Sequence, residues 1–105
     1  MSTNKEVAET ILAQLGGSRF RLMTGARHFV GAPSSLAFRI PRSNGISQVK
    51  VTLTGMDDYI VAFVGMHAGR LAVKARHDGI YCDQLQELFT RETGLDTRLA
   101  TVEGR

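Results

Sequence analysis

One cysteine, no tryptophan and two prolines stand among 105 residues, and acidic residues are almost missing from the middle of the chain. A lone thiol, Cys82, cannot close an internal disulfide, so nothing implies an oxidising compartment. No apolar run approaches the roughly 20 residues of a membrane span. The opening Met1-Ser2-Thr3-Asn4-Lys5-Glu6 lacks the basic-then-apolar order of a secretory leader. A cytoplasmic location without membrane attachment is the expectation. No internal repeat or low-complexity tract interrupts the chain. What remains, 43% apolar and 22% charged over 105 residues, describes one globular domain with a single modest core.

The most regular stretch runs from Gln48 to Arg76. Val49, Val51 and Leu53 alternate with Gln48, Lys50, Thr52 and Thr54, the pattern of a half-buried strand. Leu71, Val73 and Ala75 alternate in the same way with Arg70, Lys74 and Arg76. Between these runs, Tyr59 to Val64 is apolar on both faces and reads as a more buried strand. Short connections rich in glycine and aspartate, Gly55 to Asp58 and Gly65 to Gly69, predict an antiparallel meander.

A helix near Asn4 to Leu15 is predicted by Val7, Ala8, Ile11, Leu12 and Leu15 at steps of three and four, with a Thr3-x-x-Glu6 capping box before it and Gly16-Gly17 after it. Arg19 to Met23 alternates, with Phe20 and Leu22 inward, and predicts another strand. Thr24 to Ser34 reads as an irregular loop in which Phe29 and Val30 tuck back onto the core. Ser35 to Ile40 is a strand stopped by Pro41, and Asn44-Gly45 is a tight hairpin turn. A second helix is expected from Asp83, acting as N-cap toward Gln86, to Thr93, with Leu85, Leu88 and Phe89 inward, Gly94 as terminator and Leu95 packing back. The last residues, near 100–105, are expected to fray, with Leu99 and Val102 as the only anchors of the tail. The expected architecture is α+β, an antiparallel sheet of about five strands with both helices on one face. Ile11, Phe38, Val51, Phe63, Val73 and Leu88 are its predicted shared core.

The other face would then be open to solvent. Alternation assigns to it Arg19, Arg21, Arg39, Lys50, Arg70, Lys74 and Arg76, with no acid. Between Gly17 and His77 nine bases face two acids, whereas the two ends carry eight acids and four bases. Like charges across neighbouring strands repel, so such a face gains no stability from its composition. It suits phosphates or an acidic protein surface, unless the long stems merely cover a solvated sheet. Without outward aromatic residues for base stacking, contact with nucleic acid would run through the backbone.

Catalytic and metal chemistry find little support. His28, His67, His77 and Cys82 are not at metal-ligand spacing, so neither a metal nor a cofactor is expected. Cys82 beside His77 could suggest a thiolate nucleophile, but a buried cysteine before a helix is the commoner explanation, because nothing in the sequence places the histidine nitrogen near the sulfur. Asp57-Asp58 reads as a turn former. Gly16-Gly17 follows a helix instead of joining a strand to a helix, which fails the context of a phosphate loop.

Leu12 to Ala26 (Leu-Ala-Gln-Leu-Gly-Gly-Ser-Arg-Phe-Arg-Leu-Met-Thr-Gly-Ala) and Tyr81 to Leu95, with Glu-Leu-Phe-Thr followed by Thr-Gly-Leu, carry a further signal. On these motifs the chain resembles small uncharacterised proteins of bacteriophages, prophages and integrated mobile elements. That resemblance implies a bacterial cytoplasm and supplies no active site. The expected function is a non-enzymatic accessory protein that binds nucleic acid through the basic sheet face. The alternative is a protein-directed inhibitor or adaptor acting on a bacterial defence or nucleic-acid-handling complex. Oligomeric state is left open by these features.

Overall fold

The structure, a computed structural model, describes residues 4–95. Thr3 of the capping box and the tail, with Leu99, Val102 and the residues near 100–105 expected to fray, lie outside the described residues. Helix α1 spans Asn4–Leu15 and α2 spans Gly17–Thr24. The strands are β1 Arg27–Ala32, β2 Ser35–Ser43, β3 Ile46–Leu53, β4 Tyr59–His67 and β5 Arg70–Ile80. A 3-10 turn, Cys82–Gln84, leads into α3, Leu85–Thr93. The five strands form one antiparallel meander in the order β1-β2-β3-β4-β5, giving the α+β fold.

Cross-strand pairs identify the buried face. Leu36, Val51 and Val61 lie opposite one another across β2, β3 and β4, as do Phe38, Val49 and Phe63. All six are buried in one cluster with Ala8, Ile11 and Leu15 of α1, Phe20 of α2, and Leu85, Leu88 and Phe89 of α3. The three helices therefore share the face on which these side chains stand. Burying each large apolar side chain contributes about 1.5–3 kcal/mol. Phe20 is the hub, edge-on to Phe38 with ring centroids 5.4 Å apart and to Phe89 at 5.1 Å.

α2 replaces the strand expected at Arg19 to Met23. A short alternating run carries two apolar positions, too few to separate a period of 2 from one of 3.6. In the structure Phe20 and Thr24, four residues apart, are buried on one helical face, whereas Leu22 is 85% exposed. Gly16 (φ 128) and Gly17 (φ 62) join α1 to α2 with positive φ angles, which glycine adopts more readily than residues with a Cβ. The first strand instead lies in the region expected to be a loop, as β1. Phe29 does pack against the core, its ring 5.4 Å from Phe38, but Val30 points to solvent.

Hydrogen bonds fasten the helices to the sheet and to each other. The Tyr59 hydroxyl donates to Gln14 Oε1 (2.6 Å), and Gln86 Nε2 donates to the Leu15 carbonyl (2.9 Å). At the other end of α3, Ser43 Oγ donates to the Thr93 carbonyl and Asn44 Nδ2 to the Glu92 carbonyl (3.2 Å). Gly94 (φ 78) closes α3 as expected, its N–H donating to the Thr90 carbonyl (2.8 Å), and Leu95 packs on the core. The expected Asp83 cap is not made. Instead the Tyr81 N–H donates to Gln84 Oε1 (2.8 Å), and the 3-10 turn delays the helix to Leu85.

Candidate interaction face of the sheet

The solvent face follows from the same register, since directly paired residues point to the same side. One row across the strands reads Val30, Ala37, Lys50, Ala62 and Arg76. The next reads Arg27, Arg39, Gln48, Val64 and Val73, and beyond it Met66 pairs with Leu71. Adjacent strands are about 4.8 Å apart, so each row spans roughly four such spacings.

A β-bulge decides this composition. Phe63 lies opposite Ala75, yet its neighbour Val64 lies opposite Val73, so β5 carries Lys74 as an extra residue. A single inserted residue reverses which face every following side chain meets. Leu71 and Val73, expected in the core, are thereby turned to solvent, 57% and 61% exposed, beside Met66 at 44%. Val73 is accordingly not a core residue, whereas Ile11, Phe38, Val51, Phe63 and Leu88 are.

The bulge also redistributes the cations. Arg39, Lys50 and Arg76 stand on the open face as expected. Arg19 and Arg21 do not, because they belong to α2, where the Arg21 guanidinium lies over the Phe29 ring, 5.3 Å from its centroid. Lys74 leaves the face too. A Cβ on Gly65 would meet the Lys74 Cε at 3.2 Å and the Gly45 carbonyl oxygen at 1.8 Å, so the lysine stem lies over two glycine backbones in close approach on the helix-bearing side. Arg70, opposite His67 beyond the bulge, alternates to that side as well.

Arg27 is the open-face base that sequence reasoning missed. Its signal was the Phe-Val pair at 29 and 30, strand-like but masked by the neighbouring Gly31 and Pro33. Among the described residues, the paired positions of this face carry four bases, Arg27, Arg39, Lys50 and Arg76, and an aliphatic corner at β4 and β5.

Comparison with protein-family models, curated proteins and solved structures gives no match.

Other reactive groups are otherwise engaged or isolated. His77 Nε2 lies 2.9 Å from Glu92 Oε2, which ties β5 to α3, and Cys82, expected to be buried before the helix, is instead exposed at the start of the 3-10 turn. Arg76 Nε stands 3.4 Å from Asp78 Oδ1 with both side chains well exposed, a pair worth at most about 1 kcal/mol. No described helix is long and apolar enough to cross a membrane.

Proposed function

We propose that the protein is a non-enzymatic adaptor or inhibitor that docks its open sheet face on a bacterial protein whose surface is apolar at the centre and acidic at the rim. The observation that supports this reading is the aliphatic corner formed by Val64, Met66, Leu71 and Val73, with Arg39, Lys50 and Arg76 in the same or the next row. Exposed apolar side chains grouped beside cations match the apolar centre and charged rim of a protein interface. Nucleic acid fits less well. No Phe or Tyr of the strands occupies this face, so bases would find no stacking platform and only phosphate contacts would remain. A second copy of the chain fits poorly as well, because two such faces would oppose like charges. The likeness to phage and mobile-element proteins supplies the bacterial setting.

The test is affinity capture from bacterial lysate with the wild type, with Leu71→Asp/Val73→Asp, and with Arg39→Glu/Lys50→Glu/Arg76→Glu, each with and without nuclease. The expected result is one nuclease-resistant host protein that binds the purified wild type and is lost by both variants while their melting temperatures hold. Capture that both variants retain would discard the face. Binding to bare DNA or RNA, with a log–log salt slope that falls by roughly one for each base removed, would replace the protein partner with nucleic acid.

A further inference from the structure

The opposite flank of the open face has a different chemistry. Arg27 and Arg39 are direct cross-strand partners on β1 and β2, and like charges so placed repel. Among the described residues the ion pairs with carboxylates are Arg76–Asp78 and His77–Glu92, and neither involves these arginines. Immediately after Arg27 the register slips by one residue, and His28 adopts φ 58. That left-handed conformation is strained for a residue with a Cβ, and strain of this kind gathers at ligand sites. Beside it lies an open hollow of about 420 Å3 lined by His28, Val30, Ala37, Phe38, Arg39 and Gln48. Its rim offers the Arg39 guanidinium, the Gln48 carboxamide and the His28 ring as donors, and no carboxylate lines it.

We infer that this hollow is an anion site that takes a phosphoryl group, held by Arg39 and Arg27 together. Arg39 lines the hollow and Arg27, its direct cross-strand partner, flanks it; guanidiniums on two paired residues can offer several N–H donors in forks, which suit the three terminal oxygens of a phosphomonoester and outnumber what one carboxylate can accept. A bound dianion converts the Arg27–Arg39 repulsion into a shared attraction. The apolar side chains of Val30 and Ala37 suit the carbon body of a phosphorylated ligand better than bare phosphate. The site does not depend on the aliphatic corner, which lies on β4 and β5.

The test is an NMR titration of the full chain at constant ionic strength with inorganic phosphate, phosphoserine and acetate. Saturable shifts are expected at the Arg39 side chain, the Gln48 carboxamide and His28, with phosphoserine or phosphate binding at least about tenfold tighter than acetate, the advantage that charge-assisted contacts to a dianion imply. Arg27→Gln and Arg39→Gln should each weaken binding about tenfold. His28→Gly, which suits the positive φ, should keep the fold and weaken binding less. Arg76→Gln and Leu71→Asp/Val73→Asp should leave binding unchanged, which separates this site from the proposed docking corner. Tighter binding of phosphoserine assigns the site to a phosphorylated ligand, and equal binding assigns it to free phosphate. Unsaturable shifts, acetate binding as tightly as phosphate, or an equal loss with Arg76→Gln would overturn the inference.

Discussion

Tyr59 is buried among the core side chains while its hydroxyl reaches Gln14 on α1. Burial pushes its pKa above the ordinary 10.0. The folded state therefore holds this proton more tightly than the unfolded chain. Its contribution is fully present below pH 10, where both states are protonated, and is lost as pH rises through the raised folded value. Tyr59→Phe should remove that alkaline slope while costing about 1 kcal/mol near neutrality for the lost hydrogen bond, as urea denaturation across pH would show. A second residue-scale expectation concerns Ala68, held at φ 54 in the two-residue turn before Gly69. Alanine strains in the left-handed region by about 1 kcal/mol, and the turn prefers Asn-Gly or Gly-Gly. Ala68→Asn or Ala68→Gly should raise the denaturation midpoint by a corresponding amount.

At the scale of elements, the close approach of the β2–β3 turn to β4 is as demanding as the core. A Cβ at Gly65 would lie 1.8 Å from the Gly45 carbonyl oxygen, so Gly65→Ala must displace backbone. It is expected to destabilise by about 3 kcal/mol, at the upper end of overpacking costs, measured by chemical denaturation. The bulge at Lys74 permits a paired comparison. Phe63→Ala, in the buried face, should cost about 3 to 5 kcal/mol, whereas Val73→Ala, ten residues on and turned to solvent, should fall within about 0.5 kcal/mol. Equal losses would place Val73 back in the core. The α1 and α3 ranges were legible because their stripes are long and end at glycine. α2 was not, since Arg19 to Met23 satisfies either period.

On the scale of the whole molecule, charge is divided between two sides. Arg27, Arg39, Lys50 and Arg76 stand on the open face, while Arg19 and Arg21 ride on α2. Charge reversal of Arg39, Lys50 and Arg76 should abolish partner binding with an unchanged melting temperature. Reversal of Arg19 and Arg21 makes two of the same charge changes in place of three and should leave binding within a fewfold of the wild type, as isothermal titration with the captured partner would show. If both sets weakened binding equally, net charge and not a particular face would govern association.

The sequence by itself determined the α+β class, the meander, two of the three helices and most of the core, because each rests on local periodicity that burial of one face enforces. It also assigned Arg39, Lys50 and Arg76 to the open face, Arg39 and Lys50 because their segments pair without interruption and Arg76 because it alternates with Ala75, which stays opposite Phe63. Tertiary structure alone decided the rest. The slip after Arg27 and the extra residue at Lys74 are matters of pairing between strands, and alternation along one strand carries no record of where its partner skips. That is why Leu71 and Val73 lie on the surface, Lys74 and Arg70 leave it, and Arg27 comes to stand opposite Arg39.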